Sequence, residues 1–451
     1  MSEYLYKETE NEFISDIPTH WDFKRLGSFG VFKKGRGIAK SDIVEEGINA
    51  VLYGDIYTKY DLKVEVVVRR ITEEISKGAT KIIKNDILIT GSGETIEEIG
   101  KTVVYLNHEP AFAGGDLLIF KQKSYDSLFI SFVLNSSIGI AQKARTAKGD
   151  IVVHTYSSKL KNIRIPIPPV EEQKAIADYL EKACAKIDDV IEMKRRQLKK
   201  IDKYFKSRIF ELLKGSDLGE VEFSNSEFEW IGSIPRTWDI FRLKHISSKI
   251  NSGVTPKGGA DVYVDEGVPM LRSQNITFER LDIDYAVKIP EEVHNSMSNS
   301  KLRRGDVLLN ITGASLGRCN FFDDDDIEAN VNQHVCIIRP RFQILTKFLF
   351  YLLNSEIGQA QIFSGFKGSG REGLNFESIK NFRLPVPDIK SQEKIIERLD
   401  KISDSVKKQK NLIDLQISRL TNYRESLIHE CVTGKKNVFE GEPESLKAEA
   451  V

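Results

Sequence analysis

Apolar positions along this chain follow two distinct periods. Short runs dominated by β-branched and aromatic residues, broken by glycine and polar turns, appear as VEVVVRRI at 64–71, DILIT at 86–90, TVVYL at 102–106 and DLLIF at 116–120. DVLLNIT at 306–312 and HVCIIRP at 334–340 repeat the type. These segments predict β-strands. SLFISFVLNSSIG at 127–139 and TKFLFYLLNSEIG at 346–358 predict short helices between or after them. The strand-rich parts are therefore mixed α+β. Each ends in a proline-punctuated stretch, IPIPP from Ile165 or LPVP from Leu384, which the fixed φ of proline holds extended.

The second period follows those prolines. Residues 170–214 and 389–433 run without an internal glycine or proline until Gly215 and Gly434. Apolar residues recur at Ile176, Leu180, Ala183, Ile187 and Val190, and at Ile395, Leu399, Ile402 and Val406. Four-three spacing of this kind predicts a coiled-coil seam. Each segment reads as one helix, on the order of 65 Å long at about 1.5 Å per residue. Lys194 and Gln409 interrupt the seam. Lys194, Arg195, Arg196, Lys199, Lys200, Lys203, Lys206 and Arg208 read as a solvated helix face.

The whole pattern occurs twice. IPTHWDFKRL from Ile17 returns as IPRTWDIFRL from Ile234, and a shift of about 217 to 220 residues aligns the rest in order. LKNIRIPIPPVEEQKAI from Leu160 meets IKNFRLPVPDIKSQEKI from Ile379, matching Asn162, Pro166, Pro168 and Gln173 with Asn381, Pro385, Pro387 and Gln392. NEFISDIPTHW from Asn11 matches EFEWIGSIPRTW from Glu227. Antiparallel helices would let each arm dock on the end of the other copy's helix. The expected object is pseudo-two-fold: two similar mixed α/β domains separated by two long antiparallel, coiled-coil-like helices. Its divisions are 1–169 and 215–388 for the domains with their arms, 170–214 and 389–433 for the helices, and 434–451 for a mobile polar tail. Residues 55–78 share little with 275–300, so equal frameworks carry unequal loops.

Composition narrows the class. The 451 residues are 40% apolar and 29% charged, with 66 basic and 66 acidic side chains. Zero net charge excludes a uniformly basic nucleic-acid binder, so phosphate contacts would come from local clusters. Cys184, Cys319, Cys336 and Cys431 show no CxxC spacing and no correspondence between copies, which predicts reduced cytosolic thiols. The acidic start MSEYLYKETENEF and the short apolar runs predict neither a signal peptide nor a membrane span.

An ordered set of features now stands twice in the chain. It begins with IP..W...RL. A GD or ND then precedes an apolar strand and Thr-Gly (DILITGSG, DVLLNITGASLG). LNS and (K/R)(I/L)P(I/V)P follow, and a long helix with EEQ or SQE closes the set. The set resembles the specificity subunit of type I restriction-modification systems, over almost the whole chain. The resemblance implies two target recognition domains, each reading half of a bipartite, asymmetric DNA target. It implies helices that space the domains and dock two modification subunits, which carry S-adenosylmethionine and methylate adenine. Motor-nuclease subunits would add ATP and Mg2+. It also implies a cytoplasmic chain that binds no cofactor and catalyses nothing itself. No NPPY or DPPY, GxxxxGK[ST] or HExxH occurs, and GSG at 91–93 reads as a turn. A protein-binding scaffold without DNA specificity stays open as the other reading.

Base reading in the major groove favours Arg and Lys on guanine, and Asn and Gln on adenine. Candidates in the first copy are Lys33, Lys34, Arg36 and Lys40, then Lys143, Arg145 and Lys148. In the second they are Arg272, Gln274 and Asn275, Asn332 and Gln333, and Lys367 and Arg371. His334 reads as an ordinary surface or core histidine. Trp21 and Trp238, with the Ile-Pro pairs before them, read as packing anchors. Asp86 and Asp306 read as turn residues, since a lone carboxylate in each copy makes no acid–base pair.

Overall fold

The computed structural model describes residues 5–438 apart from 94, 96–97, 147–152, 218 and 365–372. The chain divides into two compact units, Met1–Lys194 with Asp414–Val451, and Arg195–Ile413. Each contains one copy of the mixed α+β framework and half of each long helix.

In the first unit a five-stranded sheet has the order Val31–Lys34, Leu117–Lys121, Ile87–Thr90, Thr102–Tyr105, Lys63–Val64. In the second the matching sheet has four strands, Ser247–Ser252, Val335–Pro340, Val307–Asn310 and Cys319–Phe321. Their central strands are buried along their full length, so both faces are covered and the runs read as apolar without alternation. The extra edge strand lies in the stretch where the copies diverge. There the expectation of one continuous strand over 64–71 fails: only Lys63–Val64 and Arg69–Ile71 are paired. Val66 and Val68 are exposed, so β-propensity alone did not recruit a partner strand.

The segments at 127–139 and 346–358 each break into two helices. Ser127–Asn135 gives way to Ser137–Ala144, and Thr346–Asn354 to Glu356–Ser364. Ser136 caps the second helix by accepting from the Gly139 amide. Gly139 and Gly358 make the corner, because a Cβ there would sit 2.4 Å from the Leu134 carbonyl oxygen or 2.5 Å from Leu353 Cα. That is the local physics of the LNSSIG and LNSEIG repeats.

The proline stretches pair with the start of their own copy. Arg164–Ile167 lies antiparallel to Asp22–Arg25, and Arg383–Val386 to Asp239–Arg242. Two-stranded ladders tolerate the missing proline donor. Buried glutamines fix the exit into each helix. Gln173 accepts from the Asp126 amide at 2.9 Å and donates to Pro168 at 2.7 Å, and Gln392 does the same with Leu345 and Pro387.

The long helices are Val170–Leu213 and Ile389–Val432, of 44 residues each. They run antiparallel within each unit. In the first unit Lys436 stacks on Tyr179 and Arg424 pairs with Asp188; in the second Lys410 pairs with Asp202 and Arg398 with Asp217. The buried stripe of the first helix is Ile176, Leu180, Cys184, Ile187 and Ile191. It passes beside Ala183 and Val190 because a straight helix repeats at 3.6 rather than 3.5 residues. Lys194 lies half-buried on this stripe, and on the other helix Lys410, not Gln409, is turned inward.

Both helices end in a left-handed glycine, Gly215 at φ 78° and Gly434 at φ 75°. The arms dock there as expected. Trp21 is 1% exposed in a cluster with Cys431 and Val432, and its indole N–H donates to Glu172 at 3.1 Å. Trp238 packs with Ile209, Leu212 and Leu213. No helix among the described residues is long and apolar enough to cross a membrane.

Candidate nucleic-acid interface

One end of the main sheet in each copy gathers most of the polar side chains that sequence singled out. Strand register fixes the place. Lys34 stands opposite Leu118 and Thr90 opposite Leu117, so the basic loop after Lys34 leaves from the end where Thr90 runs on into Gly91 and Ser92. In the second copy Ser252 stands opposite Cys336 and Asn310 opposite Val335, with the same result. Gly35 and Gly253 turn the chain here. A Cβ on either would lie within 2 Å of a carbonyl oxygen, that of Gly114 or Val331.

Around Ser92 the first copy forms a hydroxyl-rich cluster. Ser92–Gly93 pairs antiparallel with Val153–His154, so the glycine pair makes a short ladder rather than the expected turn. Ser92 Oγ lies 3.0 Å from His154 Nδ1. Tyr57 places its hydroxyl 2.7 Å from that of Thr90 and donates to the Ser92 carbonyl at 2.9 Å. Burial raises the Tyr57 phenol above its ordinary pKa and keeps it a donor.

The second copy brings two predicted loops together. Asn310 donates to the Ser273 carbonyl at 2.8 Å, and the Asn332 amide to Leu271 at 3.1 Å. Thr312 Oγ1 lies 2.7 Å from His334 Nδ1, and His334 Nε2 lies 3.0 Å from Gln333 Nε2. The Thr255 hydroxyl donates to Gln333 Oε1.

The candidates separate clearly by placement. Lys33, Lys34, Arg36, Lys40, Gln274 and Gln333 are exposed. Arg272 is half-buried over the Tyr263 ring, 5.8 Å from its centroid, and its Nε is buried without a partner. Asn275 is 2% exposed and holds its own turn, accepting from the Arg272 amide and donating to Asp282. Asn332 is 8% exposed and accepts from the His334 amide. Arg145 pairs with Glu12 and covers Phe13 of the arm. Lys143 corrects the expectation of a solvent-facing base reader: it is 1% exposed and donates to the Gly100 carbonyl at 2.5 Å. Burial pushes its ammonium down to about 7. In the aligned helix the same position is Ile362, a core residue, so lysine here fills an apolar site. Lys148, Lys367 and Arg371 lie outside the described residues.

Asp86 and Asp306 are turn residues with a further role. Each carboxylate accepts from the amide three residues before it, Ile83 or Arg303. Asp86 also pairs with Lys121, and Asp306 takes both arms of the Arg339 guanidinium at 2.7 and 2.8 Å. Sequence reasoning missed these partners and the histidines' hydroxyl partners. A signal was present in the placement of Lys121 and Arg339 at matching ends of matching strands. The cysteines are buried and free, and burial raises the Cys184 and Cys431 thiols to about 11 and about 12, so neither is a nucleophile. Among the described residues no group of three His, Cys, Asp or Glu is arranged to hold a metal ion.

Comparison with known proteins follows the same duplication. A family model for the type I restriction modification DNA specificity domain matches residues 18–201 and again 235–415. The chain belongs to the DNA specificity family of type I restriction-modification systems. Two copies of that domain fit recognition of a target in two parts. The type I restriction enzyme MjaVIII specificity subunit of Methanocaldococcus jannaschii is 27% identical over 417 residues, covering 90% of this chain and 92% of its own. The EcoBI specificity subunit of Escherichia coli is 27% identical over 299 residues, 63% of this chain and 60% of its own. The fold is shared with a chain from a study of complex assembly in a type I system (TM-score 0.72, 16% identity, 93% of this chain and 99% of that one). The HsdS subunit of Thermoanaerobacter tengcongensis shares it at TM-score 0.51, with 16% identity and coverage of 93% and 98%.

Proposed function

We propose that each copy of the framework, 1–169 and 215–388, reads one half of a bipartite and asymmetric duplex DNA target through the sheet end that carries its divergent loops. The observation that carries this is one framework twice with different polar side chains at the same sheet end. Identical ends would read a palindrome; these would not. Lys33, Lys34, Arg36 and Lys40 are suited to phosphate or guanine in the first half, and Arg272, Gln274 and Gln333 to bases in the second. Lys148, Lys367 and Arg371 remain candidates by their sequence, which mixes glycine with basic residues shortly before each proline stretch.

The helices at 170–214 and 389–433 set the half-site spacing and dock two modification subunits, with 434–451 as a tail. At about 1.5 Å per residue each helix is long enough to match one or two turns of DNA, at roughly 34 to 36 Å per turn. Chemistry then belongs to the partners. The modification subunits bring S-adenosylmethionine and methylate adenine, and motor-nuclease subunits bring ATP and Mg2+ for cleavage in the cytoplasm. This chain supplies recognition and no catalytic group.

Adenine methylation mapped by single-molecule sequencing tests the reading, in cells that carry the modification subunit with and without this chain. A two-part motif that needs the chain, and changes in one part when one copy is exchanged, is the expected result. Methylation that is active but follows no motif would overturn it.

A further inference from the structure

We infer that Gln333 reads an adenine in the second half of the target, and that Thr255 and His334 hold its amide for that purpose. The inference rests on the proposed reading of DNA by this sheet end and names the base and the reader.

A glutamine amide offers two N–H donors and an oxygen with two lone pairs. Gln333 has already spent one of each. Thr255 donates to Oε1, and Nε2 stands 3.0 Å from His334 Nε2. An amide nitrogen only donates, so His334 Nε2 accepts, and the ring proton sits on Nδ1, facing Thr312 Oγ1 at 2.7 Å. The Thr312–His334–Gln333–Thr255 chain therefore holds the amide at both its oxygen and its nitrogen. One N–H and one lone pair remain on an exposed side chain. Adenine's major-groove edge presents one acceptor at N7 and one donor at N6, the complement of what is left, whereas guanine presents two acceptors there.

The supports are themselves anchored. The His334 carbonyl accepts from the Ile311 amide at 3.0 Å, and its own amide donates to Asn332 Oδ1 at 3.1 Å. An exposed glutamine without such supports would lose rotamer entropy on binding that this one has lost beforehand. The first copy has no such amide: Gly115 and Asp116 stand where Gln333 and His334 stand in the aligned strand.

The test uses the full chain with its modification subunit and reads the methylated motif by single-molecule sequencing, with Gln333→Ala, Gln333→Glu and Thr255→Val beside the parent chain. The first part of the motif, unchanged in every variant, reports folding and assembly in the same experiment. Gln333→Ala is expected to relax one A·T position in the second part, with discrimination falling about 5- to 100-fold there. Gln333→Glu, which cannot donate to N7, should move that position toward C, and Thr255→Val should relax the same position by a smaller factor. An unchanged second part in Gln333→Ala, with methylation still active, would overturn the assignment while leaving the two-part reading intact. A parent chain that yields no motif would overturn both.

Discussion

The two copies hold the same main-chain bonds at the sheet end and hang different side chains on them. In the first, the Gly91 amide donates to Asp116 at 2.7 Å and its carbonyl accepts from Thr155 at 2.9 Å. In the second, Ile311 makes the same pair of bonds with His334 at 3.0 Å and Leu374 at 2.8 Å. Ser92 and Thr312 occupy equivalent places and both bind an imidazole, yet His154 comes from the strand beside Thr155 and His334 from the opposite neighbour. Backbone bonding carries no side-chain requirement, so a framework built on it permits the readers to change without disturbing the fold. That separation is what a family of DNA readers with many targets needs.

The largest expected effect breaks the framework itself. Replacing Arg339 by methionine leaves Asp306, which is fully buried, without its cation, and should cost about 3 to 5 kcal/mol. Lys121→Met should cost less, because Asp86 keeps 7% side-chain exposure and loses one point charge rather than a two-armed fork. Urea unfolding of both variants measures the difference; equal losses would refute the distinction between the copies.

Lys143 sharpens the comparison in the opposite direction. Its aligned residue is Ile362, so Lys143→Ile makes the first copy resemble the second and should stabilise it by on the order of 1 to 3 kcal/mol near neutral pH. The sign follows from linkage. The folded-state pKa, about 7, lies below the ordinary 10.5, so the unfolded chain binds more protons between those values. Stability of the parent protein rises with pH across that window. The penalty is fully present below about pH 7 and gone above about pH 10.5, so the advantage of the variant should shrink from pH 7 to pH 9.5. Unfolding midpoints at the two pH values decide it, and a constant advantage would mean the lysine is charged throughout.

The repeat, both long helices and the arm docking were legible in sequence because they rest on periodic apolar positions and on Trp, Pro and Gly at special places. The site was legible only as loops. Asn275 and Gln274 are adjacent and both suit adenine, yet one is buried in its own turn and the other exposed. Lys143 and Arg145 read as one basic cluster, but the helix Ser137–Ala144 runs through Lys143 and turns it into the core. The seam was displaced by one residue at Cys184 and Ile191 for the geometric reason that helices drift against a heptad. Local composition carries burial poorly wherever a single residue decides which face of an element is seen.

The end of the second helix offers a smaller effect. At Gly434, with φ 75°, any side chain costs about 1 kcal/mol from the left-handed backbone. Gly434→Ala should cost more, about 2 kcal/mol, since its methyl would also lie 2.4 Å from Pro18 Cγ and 3.1 Å from the Trp21 ring. Thermal unfolding measures it, and a loss of no more than about 1 kcal/mol would mean that the arm yields without cost.

The smallest effect tests whether the hydroxyl–imidazole pairs matter to reading rather than to folding. Ser92→Ala, at a buried hydroxyl, and Thr312→Val, at a half-buried one, each remove one bond worth about 0.5 to 1.5 kcal/mol of stability. Folding alone would make the two variants alike. In the second copy, however, His334 loses the acceptor that holds its Nδ1 proton, and with it the reason for Nε2 to accept from Gln333. Thr312→Val should therefore loosen the second half of the methylated motif by a few-fold at the position Gln333 governs and leave the first half alone. Ser92→Ala should leave the second half alone. A Thr312 variant with reduced stability and an intact motif would assign the pair to the framework, and the divergence between the copies at this sheet end would then have to be explained by the loops further out.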